Sequence, residues 1–304
     1  MSTLFNVRET TQIVTAHHQR EGAGFVVRRP LPTAGLSMAD PFLLLDELGP
    51  VDYGPGEAIG APDHPHRGFE TVTYALDGEF EHEDSAGHRG TLGAGDVQWM
   101  TAGAGIVHSE MPSRRIRDVG GRVHGFQVWV NLPARLKMTR PRYQEVSASR
   151  IPQAQTEDGL ATVRVIAGAA LGARAVIDTR TPIVYQDWSL EAGGDVTTEL
   201  PVEQNALVYV FQGSVRVGTA GRTLDEGQLA LLGDGDAVRL RGNAEGGGRL
   251  LLLGGVPLRE PVVHYGPFVM NTEREIEQAI RDYRSGKMGE ITRTAERNGT
   301  TRAP

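Results

Sequence analysis

Cysteine is absent from all 304 residues. That one absence removes disulfide scaffolds, thiolate zinc sites, iron–sulfur clusters and cysteine nucleophiles, so any bound metal must be held by His, Asp or Glu. Lysine is nearly absent as well, with Lys137 and Lys287 the only two. With 31 basic against 38 acidic residues the formal charge is −7. This argues against a nucleic-acid partner, whose phosphates are neutralised by clustered Lys and Arg. Long apolar runs are missing too. Phe42–Leu45 and Leu250–Leu253 have four residues each and Ala206–Phe211 has six, against the roughly 20 that span a bilayer. No membrane segment is expected. The start, MSTLFNVRETTQIVTAHH, has no basic segment followed by an apolar stretch, so no secretory signal is read there and the expected location is cytoplasmic.

The chain is rich in glycine and proline, with 39 and 17 of them. They are spread along it and punctuate short runs of β character: ETVTYAL from Glu70, GDVQWMT from Gly95, GFQVWV from Gly125, ALVYVF from Ala206 and RLLLL from Arg249. Short strands with frequent turn signals predict sandwich or barrel domains, and the length predicts about two of them. An internal repeat supports that number. Gly78 ends TVTYALDG and is followed by GHRGTLGAGDVQWM; Gly213 ends LVYVFQG and is followed by GRTLDEGQLALL. The shared frame is strand, turn glycine, strand, Leu-x-x-Gly and another strand. The division expected is a metal-binding domain over 1–133, a connection over 134–144 and a second domain over 145–304. Helical periodicity emerges only near the end. Thr272 and Glu275 have capping-box spacing, and Ile276, Ala279, Ile280 and Tyr283 share a face, which predicts a helix over about 271–285. Beyond Gly286 the chain is polar and is expected to fray.

Five of the nine histidines fall between His64 and His108. His64 and His66 bracket Pro65, and residues i and i+2 of an extended segment point to one side. His108 and Glu110 repeat the pattern across Ser109. If both segments line one barrel, three imidazoles and a carboxylate converge on a point. Such a set suits one divalent first-row ion, Fe(II), Ni(II), Mn(II), Cu(II) or Zn(II), and does not suit a hard all-oxygen site. A lone histidine in a β protein is more often a surface or hydrogen-bonding residue, but two such pairs make coincidence a poorer explanation. The repeat places Glu199, Pro201 and Asn205 opposite His64, His66 and Glu70, and Leu240 and Gly242 opposite His108 and Glu110. The second domain is therefore expected to have the scaffold without the ligands.

The segment HPHRGFETVTYALDGEFEHEDSAGHRGTLGAGDVQWMTAGAGIVHSEMP, His64 to Pro112, resembles the pirin family of two-domain cupin proteins, as does GPFVMNTEREIEQAIRDYRSGKMG near the end. The likeness is strong in the first domain and at the C-terminus, and weak in the second barrel. It implies an all-β fold of two cupin β-barrels face to face with a short C-terminal helix. It also implies one metal, usually iron, in the first barrel, held by His64, His66, His108 and Glu110. It implies either oxygen-dependent opening of the flavonol quercetin, with dioxygen as co-substrate, or a metal-dependent regulatory role through a protein partner.

Glu70, four residues after His66, competes with Glu110 for the carboxylate position, and the resemblance favours Glu110. Glu110 is also the expected proton acceptor for a substrate hydroxyl. Trp99, Met100 and Trp129 are read as barrel-core residues, with apolar walls for a substrate as the alternative. His82, His88, His124 and His264 are read as structural or exposed, and His17 and His18 as surface residues of a strand.

Overall fold

The computed structural model describes residues 5–292. The first barrel is built from two sheets. A seven-stranded sheet runs in the order Arg142–Val146, Val97–Thr101, Phe69–Asp77, Gly121–Asn131, Phe42–Tyr53, Phe25–Leu31 and His17–Glu21; a four-stranded sheet runs Ala61–His66, Ile106–Pro112, Phe80–Asp84, Arg89–Leu92. The second barrel is a ten-stranded sheet around Asn205–Val217, Gly248–Gly255 and Ile183–Leu190. All-β architecture with a C-terminal helix is as expected.

Period-two alternation explains how the barrels meet. On Gly121–Asn131, Phe126, Val128 and Val130 face outward into a core shared by both barrels, while Gln127 and Trp129 line the first barrel's cleft. On Asn205–Val217, Leu207, Tyr209 and Phe211 enter the shared core, and Ala206, Val208 and Val210 enter the second barrel's own core. The run Leu250–Leu253 splits the same way, with Leu251 and Leu253 in the shared core and Leu250 and Leu252 in the barrel's own. Strands buried on both faces read as unbroken apolar runs, which accounts for this one. The second barrel is filled by Val, Leu and Trp188, and Leu240, the repeat counterpart of His108, is fully buried among them.

The ends of the chain leave the units they adjoin in sequence. Thr10–Thr15 pairs antiparallel with Gln228–Leu232 of the second barrel. The buried Arg8 donates to the carbonyls of Pro201, Val202, Gln204 and Gly233. In the other direction, a small hairpin, Val263–Tyr265 and Phe268–Met270, and the helix Glu273–Arg284 lie on the first barrel. The helix begins as its sequence dictates. Thr272 Oγ1 accepts from Glu275 N at 3.3 Å, and the Glu275 carboxylate accepts from Asn271 N at 3.1 Å. Ile276 and Ala279 are buried against Val107, Phe268 and Met270. Tyr283 lies at the margin, 40% exposed, because the inward position is taken by Asp282, which meets Arg67 and Lys287, both at 2.9 Å. The chain does not fray at Gly286. Met288 is buried in the same cluster and its carbonyl accepts from Ser85 Oγ at 2.7 Å. From residue 293 on, the expected polar tail lies outside the described residues.

Candidate metal centre

Ala61–His66 is an edge strand, which is why Pro65 is tolerated in it. It pairs antiparallel with Ile106–Pro112, so that His64 lies opposite His108 and His66 opposite Ile106. The alternation around Pro65 brings both of its imidazoles onto the side occupied by His108. Ring centroids are 4.7 Å apart for His64 and His66, 4.3 Å for His64 and His108, and 4.9 Å for His66 and His108. One nitrogen of each ring lies within 4.8 Å of the other two. Among the described residues this is the one group of three or more His and acidic side chains so placed.

The hydrogen bonds of His64 and His66 leave one nitrogen of each for a ligand. His64 Nδ1 donates to Pro62 O at 2.7 Å and His66 Nδ1 to Pro267 O at 3.4 Å, so in both the Nε2 carries the lone pair. His108 is fully buried, and neither of its nitrogens has a partner. A buried imidazole with both nitrogens unsatisfied is costly unless something electrophilic binds it, so the donor set fits a borderline first-row metal. Burial, reinforced by the neighbouring imidazoles, holds His66 and His108 well below the usual histidine range. Both rings are therefore neutral at neutral pH, the form in which imidazole ligates.

This carries a prediction for the metal-free protein. The unfolded chain takes up protons on both histidines near pH 6.5, whereas the folded chain resists them. Below that pH the unfolded state binds more protons, and stability falls by up to about 1.4 kcal/mol per pH unit for each ring. Urea titrations between pH 7 and 5.5 measure the slope. His108→Leu should lose about half of it, and an unchanged slope in that variant would contradict the assignment.

Glu110 lies beside the group, not within it. Its Oε1 accepts from Thr73 Oγ1 at 2.7 Å, and Gln127 Nε2 donates to Oε1 at 3.1 Å and to Oε2 at 2.9 Å. The side chain shares a cleft with His64 and His66. Glu70 is elsewhere. Gly68, at φ +92°, separates Ala61–His66 from Phe69–Asp77, and the two strands join different sheets. The alternation counted through from His66 does not survive that break. Glu70 is fully buried next to Thr101, whose hydroxyl donates to Oε1 at 2.6 Å, on the parity of Val72 and Tyr74, which face the second barrel.

The remaining histidines divide clearly. His82 bonds Glu145, His88 bonds Asp84 at 2.9 Å, and His124 donates to Glu47 at 2.9 Å. His17 and His18 are exposed on a strand. Trp99 belongs to the core between the barrels and Met100 packs with Ala102 and Ile106, so neither lines the cleft. Trp129 does, with its ring 5.1 Å from that of His66.

The cleft has a volume of about 610 Å³ and is walled by Phe25, Arg29, Asp46, Gln127, Trp129 and His264, among others. Arg29 forks onto Asp46 and also meets Glu21 at 2.8 Å. Gln127, Thr73, Arg29 and Asp46 are absent from the sequence reading. For Gln127 a signal existed, because the alternation in GFQVWV puts it on the face of Trp129.

A model of the family described as pirin matches residues 24–130, and one described as the pirin C-terminal cupin domain matches 185–289. A pirin-like protein of Solanum lycopersicum is 44% identical over 291 residues, covering 95% of this chain and 96% of that one. Pirin of Homo sapiens is 43% identical over 285 residues, covering 93% and 94%. A crystal structure of quercetin 2,3-dioxygenase from Acinetobacter baumannii superposes with a TM-score of 0.87 at 40% identity, covering 94% of this chain and all of that one.

Proposed function

Since the chain belongs to the pirin family, with two cupin domains, we propose that its cleft opens the ring of a quercetin-type flavonol with dioxygen. The observation that carries this reading is a three-histidine group, two of whose rings line a cleft of about 610 Å³ with an indole wall. The similarity to a quercetin 2,3-dioxygenase structure supports the substrate class.

His64, His66 and His108 would hold the metal, with Glu110 as the fourth ligand, and iron(II) is the ion proposed. A divalent iron at such a set supplies Lewis acidity toward a substrate hydroxyl and the redox chemistry that dioxygen needs. The protein residues do the rest. The carbonyls of Pro62 and Pro267 orient two of the imidazoles. Gln127 and Thr73 hold the Glu110 carboxylate at the cleft, where it accepts the proton of the flavonol hydroxyl. Trp129 gives the planar substrate an aromatic face.

Protein reconstituted with Fe(II) without oxygen, then given quercetin and oxygen, is expected to consume oxygen and release carbon monoxide. Glu110→Gln should lower kcat by about 10²- to 10⁴-fold. No turnover with Fe, Mn, Ni or Cu would overturn the proposal.

A further inference from the structure

One wall of the cleft comes from the far end of the chain. The hairpin Val263–Tyr265 and Phe268–Met270 turns at Gly266, φ +53°, and brings His264, Gly266 and Pro267 to the cleft. Its position is tied to the segment that carries His66. Val269 N donates to Arg67 O at 3.0 Å and Arg67 N to Pro267 O at 3.4 Å. Lys137, one of the two lysines, is buried, and its Nζ donates to Val269 O at 3.0 Å, Gly68 O at 2.8 Å and Asn131 Oδ1 at 2.6 Å. The approach is so close that a Cβ on Gly68 would stand 1.9 Å from Val269 O. Arg67 and Asp282 fix the helix behind the hairpin. A histidine carried on this hairpin is thus held in register with the three-histidine group, although it is 198 residues from His66 in sequence.

The His264 ring is polarised by its own turn. Nε2 lies 2.8 Å from Gly266 O. A carbonyl only accepts, so Nε2 carries the proton and Nδ1 the lone pair. Trp129 neighbours both histidines, its centroid 5.1 Å from His66 and 6.0 Å from His264. The indole therefore adjoins both the metal-type nitrogen group and a hydrogen-bond acceptor along one cleft.

We infer that His264 is the specificity-determining acceptor for a hydroxyl at the distal end of a planar ligand whose near end lies at His64, His66 and His108. This rests on the reading of the cleft as the flavonol site and adds to it which substituent is recognised. The pendant ring of a flavonol lies on the indole, and its hydroxyl donates to His264 Nδ1. A ligand lacking that hydroxyl leaves the acceptor without its partner and binds more weakly.

The test compares quercetin with 3,5,7-trihydroxyflavone, which has no hydroxyl on the pendant ring, by fluorescence titration of iron-loaded protein without oxygen. Wild type is expected to bind quercetin about tenfold more tightly. His264→Phe should bring the ratio to about one and leave the affinity for 3,5,7-trihydroxyflavone unchanged. His264→Gln, whose amide oxygen still accepts, should keep part of the preference. An unchanged ratio in His264→Phe, or equal weakening of both ligands, overturns the inference while wild-type turnover of quercetin leaves the flavonol reading standing. Failure of wild type to bind either compound overturns both.

Discussion

Replacing His108 with leucine is expected to weaken divalent-metal binding by more than about 100-fold without destabilising the metal-free protein. Its ring is fully buried and both nitrogens lack partners. Leucine of similar size removes two unsatisfied polar atoms, so the metal-free stability should be unchanged or higher by about 1–2 kcal/mol. The internal repeat points the same way, since Leu240 occupies the corresponding strand of the second barrel, within an apolar core. Calorimetric metal titration and urea unfolding of the metal-free variant read the two halves. A variant that still takes up one metal tightly would remove His108 from the ligand set. One that loses several kcal/mol without metal would make the ring a folding element.

The second large effect is expected at the seam between the barrels. Glu47 is fully buried. It accepts from Arg28 Nε and Nη2, both at 2.8 Å, from His124 Nε2 at 2.9 Å, and from the hydroxyl of Tyr209 on the other barrel. Tyr74 reaches the opposite way, its hydroxyl donating to Asp187 at 2.7 Å. Glu47→Ala leaves a guanidinium, an imidazole and a phenol without their common acceptor, and should cost about 3–5 kcal/mol. Tyr209→Phe removes one donor and leaves Glu47 three others, and should cost about 1 kcal/mol. Because the two barrels share a core and exchange chain ends, Glu47→Ala should shift a single unfolding transition. Two separate transitions in the wild type, with only one moved by the variant, would contradict that picture.

What could be read from the sequence was what local spacing determines. The His-x-His pair converges because strand alternation is local, and it meets His108 because two neighbouring strands pair. The C-terminal helix was legible from its capping box and apolar spacing, apart from Asp282, whose inward place depends on Arg67. Glu70 shows where counting fails, because Gly68 ends one strand and the next belongs to another sheet. The grip of Thr73 and Gln127 on Glu110 arises among strands far apart in sequence, and no local pattern encodes that pairing. The exchange of chain ends was hidden for the same reason. His264 reaches the cleft only through tertiary contacts, so its sequence neighbourhood says only that it sits beside a glycine turn.

The first barrel is expected to bind a single metal through the imidazoles of His64, His66 and His108. X-ray absorption at the iron edge of protein reconstituted with Fe(II) tests it most directly. Uptake should saturate at one iron per chain, with three imidazole nitrogens and oxygen ligands around it. Uptake that does not saturate at one, or fewer than three imidazoles, would contradict it.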